Sequence, residues 1–411
     1  MTKKEIKRPE LLIPAGDLEK LQTAVRFGAD AVYVGAGPYS LRAHQTAFDI
    51  QELKAGILFA HEHGVKVYLA MNIFAFDEDL DKMMDYLKEA IHVGIDIVIV
   101  SDVGLISLIQ QLDEDIKIHL STQTNTLNSE AVKFWHNHGL KRIVLGREVS
   151  LEQVKKIKER VPKIELELFV HGAMCISYSG RCLLSKHMTG RSANKGECTQ
   201  PCRWEYNLKE ANRPNEEYLM QEDGRGIYIM NSRDLCLIEH IPKLIKAGLD
   251  SLKVEGRMKS SYYVALVTKI YRQAIDTYSA DPEKYQYNQK WREELEKISH
   301  RQYTTGFYFE EAEKENIIDG SYIRNYDFVG TVENFYSEKK ELEVKVRNYF
   351  SIGDELEILD PKVNEIKKFK VGKIKTAKHE YIDEAHNQYH VFLDIDITEE
   401  ISKFSLLRRK R

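Results

Sequence analysis

Short β-branched runs alternate with amphipathic stretches through about the first 260 residues. The apolar runs are Leu11–Pro14, Ala31–Gly35, Lys66–Asn72, Asp96–Asp102, Ile116–Ser121, Arg142–Gly146, Glu165–His171 and Ser251–Glu255. Between the first seven lie segments of helical period: Asp17–Phe27, Ile50–His63, Asp77–Val93, Val103–Leu112, Ser129–His138 and Ser150–Val161. Asp17, Ser129 and Ser150, or polar residues beside them, are placed to cap these helices. Apolar strands alternating with helices predict a parallel sheet. Eight such units in about 260 residues predict an α/β fold of the (β/α)8 TIM-like barrel type. An open doubly wound sheet is the alternative. It calls for a glycine fingerprint after the first strand, where this chain reads Pro14-Ala-Gly16-Asp17.

The pattern changes twice. About 80 residues separate His171 from Ser251, so the seventh and eighth strands are joined by a long insertion. Long connections in compact domains are usually functional, and this one is expected over the mouth of the barrel. Helical segments follow at Ser260–Ala280 and Lys290–Ser299. From about Asp327 the chain alternates with period two, as in Phe328–Val332, Leu342–Val346, Glu355–Ile358, Phe369–Ile374 and Tyr389–Leu393. That predicts a small C-terminal antiparallel β-barrel of five or six strands. The expected division is a barrel with its insertion over 1–275, a helical linker over 276–326 and the small β-barrel over 327–411.

Barrel enzymes carry their chemistry at the carboxyl ends of the strands. Here those ends hold Arg42, Asn72, Asp102, Thr122 to Asn125, Arg147, Glu148, His171, Glu255 and Arg257. His171, Glu255 and Arg147 are the candidate catalytic residues. Arg42, Arg147, Lys253 and Arg257 are the candidate clamp for a small dianion, because forked guanidinium donors match both oxygens of a carboxylate. The bland alternatives are a satisfied core histidine and ordinary surface charges. No nucleophile elbow, zinc-protease helix or phosphate-cradling loop is legible.

All five cysteines lie in the insertion: Cys175, Cys182, Cys198, Cys202 and Cys236. Thiolates ligate zinc or iron–sulfur clusters. Structural zinc prefers paired short knuckles, and only Cys198 with Cys202 has that spacing. The uneven C-x6-C-x15-C-x3-C pattern is easier to reconcile with a [4Fe–4S] cluster; zinc, a reactive thiol and plain burial are the alternatives. Lys186, Arg191, Lys195 and Arg203 stand among the cysteines in sequence and favour thiolates. Cys202 and Cys236 compete for the fourth ligand place.

Composition narrows the partners. A net charge of −4 over 411 residues leaves RNA binding to local basic patches. The lysines at 362, 367, 368, 370, 373, 375 and 378 and the ending Leu407-Arg-Arg-Lys-Arg411 are such patches, or else solvated edges that discourage strand pairing. An odd cysteine count argues against a disulfide framework. The start MTKKEIKRPE has no apolar run, and no window approaches the length of a membrane span, so the expectation is a cytoplasmic protein without membrane contact.

One family resembles these residues throughout. Glu167-x-Phe169-x2-Gly172-Ala173-Met174-Cys175-x4-Gly180-x-Cys182-x-Leu184-Ser185 is similar to the signature of the collagenase-like peptidase U32 family. Glu10 to Gly16, Ser40-Leu-Arg42, Lys253 to Arg257 and Thr305-Gly-Phe307 look like it as well. The ending Cys202-Arg-Trp-Glu-Tyr206 is similar to the branch that makes 5-hydroxyuridine at the tRNA wobble position. The resemblance implies oxygen-independent tRNA hydroxylation with prephenate as hydroxyl source, an iron–sulfur cluster, the anticodon loop as target and, in some bacteria, a shorter paralogue as partner. In a related branch a cysteine matching Cys236 is a cluster ligand, whereas wobble-uridine members keep one matching Cys202. Peptidase activity and a non-catalytic RNA-binding role are the alternatives.

Overall fold

The computed structural model describes residues 7–40, 48–112, 115–175, 177–203, 222–223, 226–227, 233–309, 322–397 and 399–411. Seven parallel strands come first: β1 (Glu10–Pro14), β2 (Ala31–Gly35), β3 (Lys66–Met71), β4 (Ile97–Val100), β5 (Lys117–Leu120), β6 (Arg142–Val144) and β7 (Glu165–Ala173). Helices α1 (Leu18–Arg26), α2 (Ile50–Glu62), α3 (Asp77–His92), α4 (Val103–Leu112), α5 (Ser129–Asn137) and α6 (Leu151–Arg160) alternate with them. Polar caps start these helices where expected. Asp17 accepts the Lys20 N–H at 2.8 Å, and Ser150 forms a reciprocal capping box with Gln153. At α5 the cap is Asn128 rather than Ser129.

After β7 comes β8 (Asp234–Cys236), then β9 (Ser251–Val254). β9 pairs in parallel with both β1 and β7, which closes an eight-stranded barrel. β8 is no barrel stave. It runs antiparallel to the end of β7, with Asp234 opposite Ala173 and Cys236 opposite His171. A two-residue strand, β10 (Tyr303–Thr304), adds to its other side. Helix α7 (Ser261–Ala280) packs against α1 and β1. Trp291, Leu295, Ile298, Tyr303 and Tyr308 complete the same core, so the segment after α7 is tied into the barrel rather than strung beside it.

The strands of the large C-terminal sheet are β11 (Tyr326–Tyr336), β12 (Glu341–Val346), β13 (Glu355–Leu359), β14 (Lys367–Lys370), β15 (Ile374–Thr376), β16 (Tyr381–Ile382), β17 (His390–Asp394) and β18 (Leu406–Lys410). They form one antiparallel sheet in the order β14-β13-β18-β11-β12-β17-β15-β16, curled around its own apolar core. This is the antiparallel C-terminal domain that the sequence predicts, a curled half-barrel of eight strands where five or six were expected. Among the described residues the edges β14 and β16 do not pair. The run Phe369–Ile374 splits into two strands with different neighbours, β14 on β13 and β15 on β17. The basic ending is a strand as well. Arg408 is fully buried, donating to Glu357 and to the Tyr262 hydroxyl, so it is a structural ion-pair residue and not a tail for phosphates.

Candidate active site

Side chains alternate across a strand, and the alternation decides what fills the barrel. Leu11 and Ile13 of β1 face the helices, while Leu12, Tyr33, Tyr68, Ala70, Ile97 and Ile99 form a separate inner cluster. On the later strands the inner positions are polar and charged. Arg142 donates to Glu167 at 3.3 Å, and Lys253 Nζ donates to the other Glu167 oxygen at 3.0 Å. Burial pushes the Glu167 carboxyl up, but Lys253 and Arg142 outweigh it and hold it below the usual range. Tyr68 donates to Glu10 at 2.7 Å, and Glu10 also pairs with Arg142. His119, buried in the same interior, is driven well below its ordinary value, first by burial and then by the charge of Arg142.

This ladder ends in a cavity of about 140 Å3 at the carboxyl ends of the strands. Lys253 lies in its floor between two rings, 4.6 Å from the Tyr33 centroid and 5.4 Å from that of Phe169. The Arg147 guanidinium stacks 4.3 Å over Phe169. Arg257 donates to Ser40 Oγ at 3.1 Å. Asn72 and Gln123, hydrogen-bonded at 3.2 Å, form another wall. Glu255 is the single carboxylate among the described lining residues, with the Tyr33 hydroxyl 3.5 Å from its Oε2.

The insertion roofs this cavity. Cys175, Cys182, Cys198 and Cys202 all line it. Polar bonds hold the roof to the barrel. Asn125, in the left-handed conformation, donates to the Ser179 carbonyl at 2.9 Å, and the Phe74 N–H donates to the Asn194 carbonyl at 3.4 Å. Lys195 sits 3.5 Å from Asp79 and over the Phe76 ring. Inside the roof the buried Ser185 hydroxyl donates to the Arg191 carbonyl, contacts the Thr199 hydroxyl and accepts the Thr199 N–H. That knot fastens the arc between Cys182 and Cys198.

All five cysteines are free thiols. Among the described residues no three His, Cys, Asp or Glu side chains stand at ligation distance of a common point. The chemistry of the donor set nevertheless fits a thiolate-bound metal centre: four thiols and three cations, Arg147, Lys253 and Arg257, share one cavity.

The predicted residues divide cleanly. Cys175, Cys182, Cys198, Cys202, Arg147, Lys253, Glu255 and Arg257 line the cavity, while Arg42 lies outside the described residues. Asp102 caps α4 through the Leu105 N–H at 3.0 Å and does not line it. His171 and Cys236 do not line it either. His171 is packed against Tyr263, Tyr271 and Tyr303, and burial pushes it down to about 3. Cys236 lies opposite it on β8, where burial pushes its thiol up. A general-base role for His171 therefore finds no geometric support here; the bland reading, a core histidine, describes its surroundings. Gly172 explains the tight seam beside it. Its φ is +102°, and a Cβ there would stand 2.3 Å from the Glu255 carbonyl oxygen. Sequence reasoning missed Tyr33 and Phe169. Nothing local in the sequence marked them, because Lys253 reaches both rings only through the fold.

Together, these elements make a TIM-barrel protein whose cationic mouth and four clustered thiols share one cavity. The chain belongs to peptidase family U32. The profile described as Peptidase family U32 matches residues 16–318, and that of the Peptidase family U32 C-terminal domain matches 324–408. The chain is 44% identical to tRNA hydroxylation protein P1 of Bacillus subtilis over 87% of its own length and 85% of that protein. It is 37% identical to tRNA hydroxylation protein P of Escherichia coli K12 over 98% and 97%. A collagenase of Porphyromonas gingivalis is 31% identical over 90% of each chain.

Proposed function

We propose that this protein is a tRNA hydroxylase that converts the wobble uridine to 5-hydroxyuridine without oxygen. Prephenate is the hydroxyl source, and the resident cofactor is a [4Fe–4S] cluster held by Cys175, Cys182, Cys198 and Cys202. A shorter paralogue as second subunit belongs to the same reading. The observation that carries it is the common cavity, in which four thiols face three cations of the barrel mouth. The names of relatives alike over nearly the whole chain support RNA hydroxylation. When bound, the cluster supplies redox or Lewis-acid chemistry beside the substrates. The chain's own residues do the rest. Lys253 and Arg257, with Arg147, neutralise a dicarboxylate in a site where those charges are poorly hydrated and therefore strong. Tyr33 and Phe169 fix the direction of the Lys253 ammonium. Glu255, the one carboxylate among the described lining residues, is in this reading the acceptor of the proton that leaves the uracil ring. A flipped base reaches such a mouth from a single-stranded loop, where unstacking costs least.

A cysteine-peptidase reading requires an imidazole beside a thiolate. No histidine lines the cavity among the described residues, so that reading is not favoured. The test is iron and sulfide content after anaerobic purification, followed by nucleoside analysis of tRNA from a strain lacking the gene and complemented with it. About four irons and four sulfides per chain and restored 5-hydroxyuridine are expected. Stoichiometric zinc without sulfide, or no restored nucleoside, overturns the reading.

A further inference from the structure

A second cavity, of about 330 Å3, lies between the barrel and the C-terminal sheet. The loop after β9 joins it to the first. Glu255 and Arg257 line the cysteine cavity, and Met258, Lys259 and Ser260 line the second. From Arg257 to Lys259 is two residues, at most about 7 Å of backbone. The walls of the two cavities therefore meet at this loop.

The charge of this cleft is cationic. Lys259 Nζ donates to a backbone carbonyl, that of Ser299, at 3.3 Å. Arg324 is exposed and has no carboxylate partner among the described residues. The one carboxylate among the described lining residues, Asp327, is held by Arg411 at 2.8 Å and lies 3.9 Å from Arg409. Rings accompany the cations. Tyr326 lines the cleft, and the exposed Tyr322 ring has Lys259 4.9 Å from its centroid. Cations for phosphates and ring faces for bases are the two things a splayed single strand requires. In the lysine-rich part of the C-terminal sheet, Lys367 pairs with Glu399, Lys368 with Glu355 and Glu357, and Lys375 with Glu341 and Asp394, while Lys362, Lys370, Lys373 and Lys378 are exposed.

We propose that this cleft is an RNA subsite. Lys259 and Arg324 take the phosphates flanking the nucleotide held in the cysteine cavity, and Tyr322 stacks on a neighbouring base. The inference rests on the RNA reading above and adds where the strand runs. The probe is a synthetic anticodon stem-loop with an unmodified wobble uridine, its affinity measured between 50 and 200 mM KCl. Lys259→Ala/Arg324→Ala removes two contacts, so the slope of log affinity on log salt becomes shallower by about 1.4. Tyr322→Ala weakens binding by roughly 5-fold or more with the slope unchanged. Thermal melts and iron content report that fold and cluster are intact; if the double variant melts early, Arg324→Gln on an exposed side chain carries the test with a change of about 0.7. A wild-type slope and affinity in these variants overturns the cleft. If they also make normal 5-hydroxyuridine, the cleft alone has failed. A shallower slope with no modified nucleoside from any variant or from the wild type leaves the cleft standing and removes the hydroxylase reading.

Discussion

Replacing Lys253 by Met takes away the cation that faces Glu167 across 3.0 Å. At an effective dielectric of 20, the attraction between unit charges at that distance is about 5.5 kcal/mol before desolvation is subtracted. Glu167 is fully buried and would keep one cation, Arg142 at 3.3 Å, a guanidinium it shares with Glu10 and Glu165, together with a hydrogen bond from Ser251. The single variant should therefore lose about 3 kcal/mol, the low end for orphaning a buried charge. Glu167→Gln is gentler, about 2 kcal/mol, because Lys253 retains the Tyr33 and Phe169 faces. The double variant removes both charges, and buried pairs replaced by neutral groups often cost little. The expected result is a double variant more stable than the sum of the singles by about 2 kcal/mol. The assay is urea unfolding at neutral pH, followed by circular dichroism, for all four proteins. Additivity to within about 0.5 kcal/mol would refute the coupling between Glu167 and Lys253. The functional half of the cycle should not recover: Lys253→Met and the double variant both lack the cation for the dianion, so both should raise the prephenate requirement about 10-fold or more.

Two further outcomes follow from the same geometry. Alanine at Cys175, Cys182, Cys198 or Cys202 should lower iron and sulfide content and abolish the modified nucleoside, whereas Cys236→Ala should keep both; metal analysis with nucleoside chromatography checks this, and loss of iron in Cys236→Ala would restore it to the ligand set. His171 is pushed down to about 3, while an unfolded histidine titrates near about 6.5, so the unfolded state binds more protons in that window and stability falls as pH drops through it. Between pH 7 and pH 5 the wild type should lose roughly 2 kcal/mol more than His171→Gln, read from urea midpoints; equal losses in the two proteins would show that His171 titrates normally.

The barrel was legible because each strand is a short β-branched run with a polar cap or turn beside it, and local chemistry sets those signals. The C-terminal strands were legible one at a time, but not their closure. Gly372 lies at the break between β14 and β15, and nothing local says that the two halves take different partners. Arg408 shows the same limit. In sequence it belongs to a basic tail; in the fold it is enclosed by Glu357, Glu294 and Tyr262, which come from distant segments. Long-range partners decide whether a cation is solvated or buried, and a window of residues does not contain them.

His171 and the cysteines carry that argument to the site. The strand-end rule places Glu255, Arg147 and Arg257 in the lining of the mouth, where β9 and β6 end. It fails at β7 because that strand continues to Ala173 and is met by β8, so His171 is walled in by Tyr271 and Tyr303 instead of opening to the cavity. The same antiparallel pairing withdraws Cys236 from the other four thiols, although its spacing alone left it level with Cys202. A single crossing of the chain thus sorts a base candidate and a ligand candidate into the core together. Among the described residues it leaves a mouth lined by thiols, cations and one carboxylate, with no imidazole of the kind that nucleophilic peptide cleavage by a cysteine requires.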